Sequence, residues 1–136
     1  MHCPATERYP LRQFAASLRR EVSRGRSFSC LIAGDRQLRS LNRDFLGHDY
    51  ATDVLSFPVD EPGSLGDLAI SVDRARAQAR SFRHTLGAEL RVLMLHGLLH
   101  LMGMDHETDR GRMRRVESRW RRRFGLPAGL IERSSQ

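Results

Sequence analysis

The chain contains no lysine; all 23 of its basic residues are arginine. That bias is what genome composition alone can produce, and no function is read into it. Cysteine is nearly as scarce, with only Cys3 and Cys30. Two cysteines do not make a disulfide framework, and intracellular thiols usually stay reduced. Long apolar runs are missing too. None approaches the ~20 residues that a membrane-spanning helix needs, and the opening M-H-C-P-A-T-E-R-Y-P has no hydrophobic core of a signal peptide. A soluble, cytoplasmic protein without a membrane partner is expected. No internal repeat or long linker divides the 136 residues, so one domain, 1–136, with a real core is expected.

What is present is positive charge. The formal net charge is +7 and the pI about 11.0. This balance favours polyanionic partners, nucleic acid ahead of a membrane surface, although a basic face can also be merely solvated.

Leu11, Phe14, Ala15, Leu18 and Val22 fall on one stripe at helical spacing. They predict a helix over 10–24, with Pro10 in its first turn and Gly25 at its end. Ser27–Ala33 reads as a short buried strand. Asp35 is placed to cap a helix from about Arg36 to Phe45, with Leu38, Leu41 and Phe45 inward. Thr52–Pro58 alternates as a strand does and stops at Pro58. Leu65–Val72 reads as another strand, and Asp73 as the cap of a helix through about Arg83. A buried helix follows over roughly Leu86–Met102, capped by Thr85. The last helix runs from about Thr108 or Asp109 to Phe124, ahead of a frayed tail. Strands and helices mix without strict alternation, which is the α+β class with a small mixed sheet.

The most informative stretch is H-G-L-L-H-L-M-G-M-D-H, from His96 to His106. His96 and His100 are one helical turn apart and face the same way. Gly103 then suits the left-handed turn that ends a helix, and that turn can bring His106 back toward the other two. Three converging imidazoles with an open fourth position are the pattern of catalytic zinc, although ligand type alone leaves nickel, copper, manganese and iron open. The spacing matches the histidines and glycine of the metzincin motif H-E-x-x-H-x-x-G-x-x-H. Where those proteases carry the general-base glutamate, this chain has Gly97, so the usual route of peptide hydrolysis lacks its base. A helical glycine costs ~1 kcal/mol relative to alanine, which points either to space wanted beside the metal or to close helix–sheet packing. Asp105 can orient a histidine ring, handle a proton at bound water, or cap the turn that presents His106. Glu89 lies ~10 Å along the helix from His96, too far to touch that imidazole, and by default complements the helix N-terminus. His2 and His84 read as surface residues.

These residues carry a resemblance. The histidine motif is similar to the signature of the YbeY family of bacterial rRNA maturation factors. L-N-R-D-F-L-G-H-D-Y-A-T-D-V-L-S-F-P (Leu41–Pro58), L-G-D-L-A-I-S (Leu65–Ser71) and E-L-R-V-L-M-L-H-G before the motif resemble that family's other blocks. The likeness covers about residues 27 to 120. It implies a single-strand-specific, metal-dependent endoribonuclease. It further implies a role in maturing the 3′ end of small-subunit (16S) rRNA and in ribosome quality control, with rRNA and the small ribosomal subunit as partners. It implies a mixed sheet of about four strands packed by helices, a zincin-like metal helix, and one Zn2+ held by His96, His100 and His106. The family often has F-R-G-K-D where this chain has Phe45–Asp49. The arginine place is Leu46 and the lysine place is His48. An aromatic is common where Met104 stands.

Residues 110–123 hold eight arginines against the single acid Glu117. Met113, Val116, Trp120 and Phe124 form the inward stripe of a helix, and the arginines cover the rest. The reading reached from sequence is metal-assisted hydrolysis of RNA. Asp105 is the candidate for proton transfer or ring orientation. Arg43, His48, Ser56, Arg114 and Arg115 are the candidates for RNA contact. The rivals are a metallohydrolase of another substrate class and a non-catalytic ribosome-assembly factor with a structural metal.

Overall fold

The computed structural model describes residues 5–105 and 107–134. In chain order the elements are α1 (Ala5–Glu21), β1 (Ser27–Ala33), α2 (Asp35–Leu46), β2 (Val54–Glu61), β3 (Ser64–Ser71), α3 (Val72–Ser81), α4 (Leu86–Leu101), α5 (Arg112–Arg123) and α6 (Leu130–Ser134). The class is α+β, as the mixed pattern predicts. The strands form one mixed sheet in the order β1-β3-β2, with β1 parallel and β2 antiparallel to β3. The sheet has three strands among the described residues, not the expected four or so.

The apolar run of α4 places this helix at the centre, against α1, α3, α5, α6 and one face of the sheet. Leu90, Leu93, Leu95, Leu98 and Leu99 are buried there with Leu18, Leu68, Ile70 and Met113. Leu38, Leu55, Ala69 and Ala33 form a smaller cluster that includes α2. Among the described residues no helix is long and apolar enough to cross a membrane.

Several boundaries differ from the sequence expectation for identifiable reasons. α1 starts at Ala5, so Pro10 lies inside it. A proline that deep forgoes an intrahelical bond, and burial of Leu11, Phe14, Leu18 and Val22 on one stripe offsets the loss. β2 runs through Pro58 because it is an edge strand and its register shifts just beyond that residue. Asp35 and Asp73 are not the caps. Gly34 precedes α2 without a side-chain cap, and Ser71 Oγ caps α3 by accepting from the Arg74 N–H at 3.1 Å. The two aspartates tie the helix starts together instead: the Asp35 N–H donates to Asp73 Oδ2 at 2.8 Å, and Ser71 Oγ donates to Asp35 Oδ1 at 2.6 Å. Phe45 is 70% exposed rather than inward, edge-on to Phe57. α5 begins at Arg112. Asp109 serves its start from outside by accepting from the N–H groups of Gly111 and Met113.

Candidate metal centre

The histidine-bearing helix α4 forms for the local reasons read from sequence. Thr85 Oγ1 accepts from the Ala88 N–H at 3.1 Å and caps its start. At its end Gly103 adopts φ +91°. Its N–H donates to the His100 carbonyl, and the Met104 N–H donates to the Leu99 carbonyl. That pair of bonds is a Schellman ending, which needs the left-handed glycine. His96 is buried and His100 half-buried on the same face.

The Nε2 atoms of His96 and His100 lie 3.1 Å apart, with the rings at 73°. Two imidazoles on one tetrahedral zinc, with Zn–N of ~2.0–2.1 Å, would have their nitrogens about 3.3–3.4 Å apart. The pair is therefore spaced close to what a shared metal requires. The other face of His96 fixes its tautomer. Its Nδ1 donates to Glu117 Oε2 at 2.6 Å, and the Glu117 side chain is 1% exposed. A carboxylate only accepts, so the ring proton sits on Nδ1 and the Nε2 lone pair faces His100. Two imidazole nitrogens thus converge, one of them held by a buried carboxylate, and this donor set fits zinc. The third predicted ligand, His106, lies outside the described residues, as does His2.

Glu117 was not singled out by the sequence reading, where it counted only as the acid in an arginine run. The signal was its phase. It sits four residues after Met113 and three before Trp120, on the inward stripe, and an inward glutamate needs a partner. Its second oxygen, Oε1, accepts from the Ile131 N–H at 3.2 Å. A Cβ on Gly129 would sit 2.0 Å from that oxygen. The segment leading into α6 therefore closes over the carboxylate that orients His96. Glu117→Gln is expected to weaken zinc binding about 10- to 100-fold, the usual cost of losing an outer partner of a ligating histidine. Gly129→Ala should do the same by displacing the carboxylate. Competition against a chromogenic chelator measures both.

Gly97 faces the sheet. A Cβ there would lie 2.8 Å from Leu68 Cδ2 and 3.1 Å from Val54 Cγ2. Of the two reasons entertained for this glycine, close helix–sheet packing has the contacts. Gly97→Glu is accordingly expected to destabilise the protein and to confer no peptidase activity, because an unpaired carboxylate would enter the core. A thermal melt with a peptide-turnover assay checks both halves.

The remaining candidate residues are spread out. Ser56 is half-buried and its Oγ donates to the Gly97 carbonyl at 3.3 Å, joining β2 to α4. Asp105 is exposed, and its Oδ1 accepts from the Glu107 N–H at 3.0 Å, a turn-capping bond. Arg43 is exposed on α2, with Nε donating to Asp44 at 3.0 Å. Leu46, the last residue of α2, and His48, in the segment that follows, are both exposed. That segment is held by Asn42 Nδ2, which donates to the Tyr50 carbonyl at 3.0 Å, and by the Arg39–Asp49 pair at 2.8 Å. The hydrogen bond from Arg39 holds the Asp49 carboxyl below its ordinary range. The small stabilisation from this exposed pair is present above the ordinary carboxylate pKa and fades as pH falls through the lowered one. Arg114 and Arg115 are exposed on α5.

Glu89 departs from its expected role. It is fully buried, accepts both guanidinium N–H groups of Arg133 at 2.9 and 3.1 Å, and lies 2.6 Å from His84 Nε2. His84 is therefore not a surface residue; its side chain is 13% exposed.

Comparison with known proteins bears on this geometry. The family model described as Endoribonuclease YbeY matches residues 10–125. The chain belongs to the endoribonuclease YbeY family. A relative named Endoribonuclease YbeY from Solibacter usitatus is 63% identical, over 96% of this chain and 88% of its own length. One from Koribacter versatilis is 50% identical, over 78% of this chain and 70% of its own. The solution structure of TM1509 from Thermotoga maritima shares the fold. It aligns with a TM-score of 0.65 at 24% identity, over 88% of this chain and 82% of that one. The YbeY match takes in α4, Glu117 and all of β1–β3, and ends before Gly129 and Ile131.

Proposed function

We propose that this YbeY-family protein is an endoribonuclease acting on single-stranded RNA in the cytoplasm. In this reading one zinc ion is held by His96, His100 and His106, and the substrate is the 3′ region of small-subunit rRNA. Such processing would also serve ribosome quality control. The single observation that carries the metal part is the convergence of the His96 and His100 Nε2 atoms at 3.1 Å, with His96 turned by Glu117. Family membership carries the RNA part.

A zinc ion held by His96, His100 and His106 would supply Lewis acidity toward a phosphoryl oxygen and would acidify a water. The chain's own residues supply the rest. Glu117 keeps the His96 proton on Nδ1, so that Nε2 remains a donor atom. Gly97 seals α4 against Leu68 and Val54 and contributes no base. Asp105 stands exposed beside the end of the metal helix, where it can take a proton from the attacking oxygen. Exposed Arg43 and His48 offer positive charge or donors to flanking phosphates, a role the leucine at 46 does not provide.

The test is cleavage of labelled single-stranded rRNA with and without chelator, followed by end-group analysis. Cleavage lost on chelation and restored by zinc is expected. A cyclic phosphate product would identify the 2′-hydroxyl as nucleophile, and its absence would identify water. RNA bound but never cut, equally well with and without metal, would instead establish a non-catalytic assembly factor. Peptide turnover indifferent to RNA competitor would establish another hydrolase class.

A further inference from the structure

We propose that the outer face of α5 is a second RNA-binding site, a basic surface for the phosphodiester backbone of single-stranded RNA that is separate from the metal centre. It rests on the endoribonuclease reading above and extends it to the opposite side of the helix that carries Glu117. Arg114, Arg115, Ser118, Arg119 and Arg122 lie together on the surface of α5. On the helix these positions form one face. Buried Met113 and Glu117 and half-buried Trp120 form the other.

Four guanidinium groups crowd this face. None of them pairs with a carboxylate among the described residues. Arg12, Arg20, Arg36 and Arg80 likewise have no carboxylate partner among the described residues, so what marks this face is the density of its guanidinium groups. Four like charges at adjacent helical positions repel one another, and bound phosphates relieve that repulsion. Arginine suits the ligand, because its planar fork meets phosphate oxygens in pairs. From Arg115 to Arg122 the helix rises ~10 Å, enough for a short run of successive phosphates, and the Ser118 hydroxyl adds a neutral donor. The chemistry fits RNA better than a membrane. Interfacial helices insert apolar side chains beside their charges, and none of the large exposed apolar residues lies on α5.

The test is anisotropy with a fluorescent single-stranded rRNA fragment across a salt series, using wild type, Arg114→Gln/Arg115→Gln/Arg119→Gln/Arg122→Gln, and the milder Arg115→Gln/Arg119→Gln. Glutamine keeps helix propensity, and circular dichroism confirms the fold. Loss of four phosphate contacts should flatten the slope of log K against log salt by about 3, and loss of two by about half that. Affinity at low salt should fall at least tenfold in the fourfold variant. Arg36→Gln/Arg80→Gln, which removes two exposed arginines on α2 and α3, should keep the wild-type slope. Unchanged slope and affinity in both glutamine variants would overturn the proposal. Arginine-dependent binding to phosphatidylserine vesicles with no change toward RNA would also overturn it. If wild type shows the arginine-dependent slope yet cuts nothing at any metal concentration, the α5 site stands and the endoribonuclease reading fails.

Discussion

Glu89→Ala is expected to cost about 3–5 kcal/mol of folding stability, the usual penalty for removing one partner of a buried ion pair. For a chain of this size that is a fall in Tm of about 10–20 °C. The reason is the company Glu89 keeps. Arg133, at 6% side-chain exposure, gives both guanidinium N–H groups to this carboxylate and stacks over Phe82 at 4.5 Å. Without the glutamate its charge stays buried with no counter-charge, and His84 loses its acceptor. Replacing both partners by apolar residues of similar volume, Glu89→Leu with Arg133→Met, should lie closer to wild type than either single change. Urea denaturation of the four proteins measures the coupling. Because Glu89 lies far along α4 from His96, zinc binding by the folded fraction of the variant should persist.

His96→Ala and His100→Ala are expected to abolish tight zinc binding, by more than the roughly 100-fold that loss of an outer partner can cost. They should differ in stability. His96 is buried and gives its Nδ1 proton to Glu117, so its removal leaves a buried carboxylate whose remaining hydrogen-bond donor among the described residues is the Ile131 N–H. His100 is half-buried, and its replacement leaves that arrangement intact. His96→Ala should therefore melt well below His100→Ala, while both fail to retain zinc. Equal melting points would contradict the role given to Glu117.

Helix α4 was legible in the sequence because each of its signals is local. An apolar run, a capping threonine and a glycine for the left-handed exit all fall within Thr85–Gly103, and histidines four apart must share a face. The partners of that helix were not legible. Glu117 reaches His96 across 21 positions, and Arg133 reaches Glu89 across 44. Nothing in the spacing announces that α5 and α6 fold back on α4. The aspartate caps failed for a related reason: Asp35 and Asp73 have capping chemistry, but a neighbouring helix start gave them partners. Phe45 defied its apolar periodicity, since it lies near the end of α2 and stays 70% exposed with its ring edge-on to Phe57.

The central claim is that RNA is cut at a metal held by the α4 histidines. The most direct measurement is the rate of single-stranded rRNA cleavage by wild type and by His100→Ala, purified identically and titrated with zinc. The expected result is zinc-saturable cleavage by wild type and none above background by His100→Ala at any zinc concentration, with the variant still folded. Cleavage by His100→Ala at the wild-type rate would contradict the account.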